Sequence, residues 1–181
     1  SMSSGSRQFG LSKSKITSFE QCPKRLWLQT HRPDLAELDA GAEARFAAGH
    51  EVGDAACALC PGGVMIEAEP DLAAALQRTQ DLISASVQAP LFEATFAHDG
   101  VLVRVDIMEP DGLGGWHVAE VKSSTSRKDY HVADLATQLW VLREAGVQVS
   151  SAAIRHLNNQ FFLTEEGDYQ GAFVDTPSLE D

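Results

Sequence analysis

The hydrophobic positions of this chain follow two periods, and the change between them divides the sequence into elements. Over residues 40–59 they recur every three or four residues, which is the repeat of one helix face. Three later stretches instead alternate or run continuously apolar, as strands do. They cover residues 91–97, 101–108 and 116–122. The pattern therefore predicts a helix first and a sheet in the middle of the chain.

Helix-capping residues predict three further helices. Residues 17–20, Thr-Ser-Phe-Glu, have the spacing of a capping box. Asp71 is a capping residue ahead of a helix that runs to about Gln88. The last helix covers residues 130–145 and ends at Gly146, since glycine readily adopts the left-handed conformation found just past helix ends. Helices therefore precede and follow the predicted strands.

Turn residues predict how the strands connect. Asp99-Gly100 and the glycine-rich residues 111–115 are hairpin signals, so the three strands are expected to form an antiparallel meander. A short strand at residues 64–69 and one or two closing strands at residues 151–157 and 160–163 complete the sheet. We therefore predict an α/β (α+β) fold with a central mixed sheet, an antiparallel meander and flanking helices.

Composition is typical of one globular domain. A chain of 181 residues with 44% hydrophobic and 22% charged residues has room for a single core. Residues 1–10 are predicted to be a flexible leader with a protease scar, residues 11–175 the domain, and residues 176–181 a tail. One interpretation is that the chain is a domain cut from a longer protein, whose further domains are its partners.

Charge is unevenly distributed along the chain. The formal net charge of −12 excludes a basic nucleic-acid-binding coat. Residues 1–32 nevertheless hold six basic residues and one acid, whereas the remainder holds eight basic residues and 25 acids. Three cysteines do not make a disulfide framework, and no apolar stretch is long enough for a signal or a membrane span. We therefore expect a cytoplasmic protein with no membrane contact.

The predicted meander brings two acids together. If Leu113 is the centre of its second turn, Asp106 lies opposite Glu120, where Cβ atoms are about 4.5–5.5 Å apart and like charges repel. Lys122 supplies one nearby positive charge, but a hard divalent cation takes oxygen ligands from both acids. The geometry therefore favours a metal site. An ordinary exposed face with cross-strand charge pairs explains it equally well.

The same residues carry a family resemblance. Asp106 followed by Glu120-Val121-Lys122 resembles the Asp…Glu-x-Lys signature of the PD-(D/E)XK nuclease superfamily. Residues 16–27, Ile-Thr-Ser-Phe-Glu-Gln-Cys-Pro-Lys-Arg-Leu-Trp, resemble the opening of RecB-like and CRISPR-associated exonuclease domains, and look closest to an uncharacterised RecB-like domain family. Gly49-His50 is similar to the histidine motif of that group, and Gln138 is similar to the Gln of its Gln-x-x-x-Tyr motif.

The resemblance runs over residues 11–146, implies a restriction-endonuclease-like core, and has three departures. Val105 stands where the superfamily signature has its proline, a variation common among its members. Leu142 stands where the Gln-x-x-x-Tyr motif has its tyrosine. Cys22 matches the first cysteine of the iron–sulfur members, but no cysteine follows Cys60, so we expect no iron–sulfur cluster. Cys57 and Cys60 make at most half a zinc site and are interpreted as buried or idle thiols.

Ligand roles follow from the resemblance. It implies that Asp106 and Glu120 hold Mg²⁺ or Mn²⁺, with the Val121 carbonyl and the His50 imidazole as further ligands. Phosphodiester cleavage needs an activated water and a Lewis acid, which agrees with this ligand set. Lys122 is implied to orient or deprotonate that water and to offset the charge of the transition state.

Other candidates each have a plainer interpretation. Gln138 is implied to face the active site, where it contacts the lysine, the water or the DNA backbone. Together with His131 and Asp134 it also forms a polar stripe, which a solvated helix face explains. His50 on a helix face is more often a core histidine than a ligand. Glu93 is a further acidic candidate near the metal, or an inert strand residue.

The basic N-terminal segment supplies two candidate DNA contacts. Lys24 and Arg25 are candidates for binding phosphates, or they are the solvent side of a short helix. The leading hypothesis is a metal-dependent nuclease that hydrolyses DNA, at ends or in single-stranded segments as the resemblance implies. The alternative is a catalytically weak or inactive nuclease-fold module that binds nucleic acid or a protein partner within a larger protein.

Overall fold

The structure is a computed structural model that describes residues 11–12, 51–161 and 168–178 of the chain. These ranges contain three helical segments and seven strands. The helices are α1 (residues 51–58), α2 (Leu72–Ser84) and α3 (Asp129–Glu144). The strands are β1 (Leu11–Ser12), β2 (Val64–Met65), β3 (Leu91–His98), β4 (Val101–Pro110), β5 (Trp116–Lys122), β6 (Val149–Leu157) and β7 (Phe173–Pro177).

The strands form one mixed sheet in the order β2-β3-β4-β5-β6-β7, and β1 pairs with β4 off this path. β3, β4 and β5 are antiparallel neighbours, which confirms the predicted meander. β6 lies parallel to β5, and β7 runs antiparallel to β6. The fold is therefore mixed α/β, as the alternation of helix and strand patterns predicts.

The turn between β4 and β5 is built by one carboxylate and two glycines. Asp111 Oδ1 accepts the N–H groups of Leu113 and Gly115 at 2.6 and 2.9 Å. Gly112 and Gly114 have φ of 78° and 87°, in the left-handed region that glycine adopts most readily. The turn therefore closes around Leu113, and its chemistry matches the hairpin signal in the sequence.

This turn fixes the register of the two strands that carry the candidate acids. Pro110 pairs with Trp116, and the ladder continues to the pair Ile107–Ala119. That is the register predicted for a turn centred on Leu113. The candidate acids Asp106 and Glu120 follow directly after this last pair.

Helix α3 supplies the main cover of the sheet. It packs across β3, β4 and β6, and its Leu135, Leu139 and Leu142 are buried in the same core as Met108 and Val118 of the strands. Burying each such side chain contributes about 1.5–3 kcal/mol relative to leaving it exposed. Within the described ranges, no helix is long and apolar enough to cross a membrane.

Two predicted elements are shorter than expected. β2 covers only Val64–Met65 rather than residues 64–69. Further along β3, the backbone N–H of Thr95 donates to Thr79 Oγ1 of α2 at 2.9 Å and not to a strand. Helix α2 ends at Ser84, not at Gln88. Ser86 has a φ of 54°, which places a left-handed residue just past the helix end.

The C-terminal part of the domain also differs from the prediction. Asn158, Gln160 and Phe161 are not in a strand, so the described part of the predicted strand at 160–163 is wrong. The sheet closes instead with β7, which runs through Pro177 and so crosses the predicted start of the tail at residue 176. Ser178 is also buried, and its N–H donates to the carbonyl of Ala152 at 3.1 Å.

Candidate active site

A buried carboxylate at the end of β5 is the centre of the candidate site. Glu120 is 2% exposed, and its Oε2 accepts a hydrogen bond from Gln138 Nε2 on α3 at 2.7 Å. Its Oε1 lies 3.3 Å from Lys122 Nζ, on the same strand. A charged group this deep in the protein has to be paired and hydrogen-bonded, and both carboxylate oxygens are. Glu120, Lys122 and Gln138 are therefore brought together, as predicted.

A second buried carboxylate holds the same lysine. Asp134 Oδ2 lies 3.2 Å from Lys122 Nζ, and Asp134 is 3% exposed. Asp134 and Gln138 are four residues apart on α3, so both project from one face of the helix. Asp134 has no predicted role beyond the polar stripe, although its spacing of four residues from Gln138 places the two on one helix face. The structure adds Asp134 to the candidate site.

His131 completes the polar face of α3. Its Nδ1 accepts the backbone N–H of Lys128 at 3.1 Å, and its ring lies 4.4 Å from the Tyr130 ring in an edge-on arrangement. Burial, then the positive charges of Lys122 and Lys128, lower the pKa of His131 to about 4. Since His131 is buried together with Asp134 and Gln138, the interpretation of this stripe as a solvated helix face is wrong.

One polar atom in the site has no hydrogen-bond partner among the described residues. It is Oε1 of Gln138, which is fully buried. The orientation of this amide is set by Glu120, because a carboxylate oxygen accepts from the amide N–H and repels the amide oxygen. An unsatisfied buried acceptor is costly, so this oxygen marks a place where a donor such as water fits.

Asp106 lies where β4 and β5 stop pairing. The ladder ends at Ile107–Ala119, and beyond it Asp106 Oδ2 accepts the backbone N–H of Val121 at 2.8 Å. The carboxylate therefore replaces a strand carbonyl as acceptor at this point. This contact holds half-buried Asp106 next to Val121. The predicted position of Asp106 directly opposite Glu120 is not among the pairs of the β4–β5 ladder, which ends one step earlier.

Side-chain alternation is interrupted near the site. On β4, Ile107 packs in a small cluster with Ala56 of α1, whereas Val103 and Val105 pack in the main core. Alternate residues of a regular strand point to one side, so β4 changes sides around Asp106. Strand alternation therefore does not place Arg104 and Asp106 on one face of β4.

Glu93 is part of a polar cluster on β3 and β4. Arg104 donates to Glu93 Oε2 at 3.2 Å, to Thr95 Oγ1 at 3.1 Å and to the carbonyl of Ile66 at 3.0 Å. Glu93 itself has a φ of 58°, which is unusual for a residue other than glycine. Its carboxylate is thus engaged by an arginine, and its role as a further acidic group near the metal stays a prediction.

The two described cysteines have features of unreactive thiols. Burial, and then the charge of Asp106, raise the pKa of Cys57 to about 12. Burial also raises the pKa of Cys60, whose Sγ lies 3.8 Å from Arg155 Nη1. Because the thiolate is the form that binds metal or attacks, these neutral thiols fit the interpretation of idle cysteines.

Several predicted features lie outside the described residues. They include the capping box at residues 17–20, the candidate ligand His50, the candidate DNA contacts Lys24 and Arg25, and Cys22. All of them stay predictions from the sequence.

The donor atoms of the site decide which metal ions suit it. The described ranges contain no group of three or more His, Cys, Asp or Glu side chains that could hold a metal. Mg²⁺ does not need such a group, because it is usually bound by one or two carboxylates and keeps several waters. Asp106 and Glu120 supply two carboxylates, and the orphaned oxygen of Gln138 can accept from a water beside Glu120. The types of donor present therefore match those that a hydrated hard cation takes.

Known proteins show little similarity to this chain. No family model matches the sequence, and no curated protein matches it. Among solved structures, the crystal structure of SSO0001 matches with a TM-score of 0.48 and 12% sequence identity, over 96% of this chain and 68% of that chain. At this distance the match carries no argument about function, which has to come from the site itself.

Proposed function

We propose that this protein is a Mg²⁺- or Mn²⁺-dependent nuclease of the RecB-like PD-(D/E)XK type, which hydrolyses DNA phosphodiester bonds at ends or in single-stranded segments. The observation that carries the proposal is the pairing of buried Glu120 with Lys122 and Gln138, next to Asp106. These four residues are the ones that the resemblance assigns, and they come from β4, β5 and α3. Sequence motifs and side-chain contacts thus point to one site.

The order of elements supports a restriction-endonuclease-like core. A helix precedes the antiparallel meander of β3, β4 and β5, and α3 then leads to β6, which lies parallel to β5. The candidate acids lie on the last two strands of the meander, and Gln138 lies on the helix that follows. This is the arrangement that the family resemblance implies for its motifs.

The proposed chemistry assigns a task to each side chain. Asp106 and Glu120, with the Val121 carbonyl and His50, would hold a cation that supplies Lewis acidity and an activated water. The Lys122 ammonium offsets negative charge that develops on the scissile phosphate, and it is close enough to the acids to orient the attacking water. Gln138 holds the Glu120 carboxylate in place, and its free oxygen accepts a hydrogen bond from a bound water.

A cleavage assay tests this proposal. Labelled single-stranded and double-stranded DNA is incubated with the protein in Mg²⁺ or Mn²⁺, and Lys122→Ala is the control. We expect cleavage by the parent and a loss of at least a hundredfold in the variant, the range typical for a group that acts on a reacting proton or charge. Absence of cleavage by the parent, or equal cleavage by both proteins, would show that the enzyme assignment is wrong.

One observation favours a second candidate, a nuclease-fold module that binds without cleaving. Leu142, which stands where the family motif has tyrosine, is fully buried in the apolar core, so no hydroxyl is present at that position. Mn²⁺ binding separates the two candidates. A binding module shows Mn²⁺ affinity that Glu120→Gln removes, but no cleavage under any metal condition. Further domains of a longer protein would then supply the activity.

A further inference from the structure

Lys122 and the proposed cation compete for one carboxylate. In the structure Nζ of Lys122 lies 3.3 Å from Oε1 of Glu120, which is one of the two acids that would bind the cation. A divalent cation and an ammonium on the same carboxylate repel each other, and the repulsion is large where water is excluded. Glu120 is buried, so little solvent screens the two charges. Binding of the cation therefore requires another partner for the ammonium.

Asp134 has the position and the burial of such a partner. Its Oδ2 lies 3.2 Å from the same Nζ, which is as close as Glu120. Its side chain is 2% exposed, so it needs a cation of its own. A small movement of the ammonium toward Asp134 satisfies that need and leaves Glu120 Oε1 to the metal. The lysine then stays in the site together with the cation.

We propose that Asp134 is a positioning residue that takes the Lys122 ammonium when a divalent cation binds Glu120. This inference rests on the proposed function, because it takes the metal site from it. In this proposal Asp134 acts on the metal through the lysine that it contacts. Without the carboxylate, the ammonium stays on Glu120 and opposes the cation.

Mn²⁺ titration followed by electron paramagnetic resonance tests the inference, because the signal of free Mn²⁺ reports binding without any DNA. Asp134→Asn keeps the shape of the side chain and removes its charge. Asp129→Asn is the matched control, since Asp129 is an exposed acid on the first turn of the same helix. We expect Asp134→Asn to weaken Mn²⁺ binding about tenfold and Asp129→Asn to change it less than about twofold, since exposed charges are screened.

A crystal of the parent protein soaked with Mn²⁺ gives a second readout that does not depend on a variant being folded. We expect Nζ of Lys122 to stay within hydrogen-bond distance of Asp134 and to move more than about 4 Å from Glu120 Oε1, beyond ion-pair range. An ammonium that stays on Glu120 with the metal bound overturns the inference. Equal Mn²⁺ affinities of the two variants, or no Mn²⁺ binding by the parent, overturn it as well.

These outcomes are distinct from failure of the proposed function. A parent protein that binds Mn²⁺ with the predicted dependence on Asp134 but leaves DNA intact contradicts the nuclease and supports the role of Asp134. A parent protein that cleaves DNA while Asp134→Asn binds Mn²⁺ as tightly as Asp129→Asn supports the nuclease and contradicts the role of Asp134.

Discussion

Gln138 Nε2 and Glu120 Oε2 lie 2.7 Å apart, across the interface between α3 and the sheet. The bond joins a helix to the strand end that carries the candidate metal ligand, so it contributes both to the fold and to the site. The Gln138 amide also has one buried oxygen without a hydrogen-bond partner among the described residues, which is uncommon for a residue that only stabilises the fold.

Replacing Gln138 by Met is expected to lower the free energy of unfolding by about 1–3 kcal/mol, because a buried carboxylate loses a donor. Met has a similar size, so the change leaves little cavity. Thr137→Val, next to it on α3, is the control and is expected to cost less than about 1 kcal/mol. Urea denaturation measures both values. Equal effects of the two substitutions would contradict the importance of this bond.

His131 predicts a pH dependence of stability. Its pKa is about 4 in the folded protein and 6.5 when unperturbed, so between these values the unfolded chain binds a proton that the folded chain does not. The contribution is therefore fully present above pH 6.5 and falls as the pH is lowered toward 4. We expect a loss of the order of 3 kcal/mol over this window.

His131→Asn is the matched variant, since its side-chain oxygen can still accept the N–H of Lys128. Urea denaturation of both proteins at pH 7 and pH 4.5 measures how much the free energy of unfolding of each one changes with pH. The variant is expected to lose less stability than the parent on acidification. Parallel pH profiles would show that His131 is not held neutral in the folded protein.

Arg155 anchors the last strand to the sheet. Its guanidinium donates to Glu109 Oε1 at 2.6 Å and to Asp175 Oδ1 of β7 at 2.7 Å. We expect Arg155→Met to lower the free energy of unfolding by about 1–3 kcal/mol, because two carboxylates lose their cation. Arg78→Met on the exposed side of α2 is the control, with an expected change below about 0.5 kcal/mol. Unfolding of both variants in a series of denaturant concentrations measures these changes in the free energy of unfolding.

The stability that the contact between Arg155 and Asp175 provides is also expected to depend on pH. Burial alone would raise its pKa, but hydrogen bonds from Arg155 and His117 outweigh it and hold the pKa below its usual range. The stabilisation is therefore present above the unfolded pKa of about 3.9 and is lost as the pH falls further. This window lies below that of His131, so acid unfolding separates the two. Asp175→Asn is expected to unfold with a weaker dependence on pH below 4.

The backbone of β3 is expected to be strained at Glu93, and two substitutions of this residue test that expectation. A residue other than glycine in the left-handed region costs roughly 1–2 kcal/mol. Glu93→Ala keeps this cost and removes the ion pair with Arg104, whereas Glu93→Gly removes both. We expect the Gly variant to be about 1 kcal/mol more stable than the Ala variant. Thermal unfolding of the pair measures this, and an Ala variant as stable as Gly would show that the backbone at residue 93 is not strained.

Local patterns predicted much of the fold. The meander, its register and the helix that ends at Gly146 follow from alternation and turn residues, which act between neighbours in sequence. β7 was missed because its five residues carry weak apolar periodicity, and it is held by charge pairs between distant segments. The predicted length of β2 was wrong, and a hydroxyl of α2 satisfies the β3 backbone beyond it, a contact that no local pattern encodes.

The candidate site was predicted in part. Asp106, Glu120, Lys122 and Gln138 are in contact or joined through one backbone N–H, as their motif spacing indicates. The burial of Asp134 and His131 was not predicted, because a polar stripe on a helix looks the same whether solvent or a buried carboxylate faces it. Only the packing of α3 onto the sheet distinguishes the two.

The most direct test of the central proposal is cleavage of single-stranded DNA by the parent and by Glu120→Gln, in Mg²⁺ and in EDTA at about 0.15 M salt, where non-specific DNA binding is weakened. Glu120→Gln keeps the shape of the side chain, and its thermal unfolding checks that it is folded. The account predicts product only from the parent with Mg²⁺. Product from Glu120→Gln at the parent rate, or from the parent in EDTA, would contradict it.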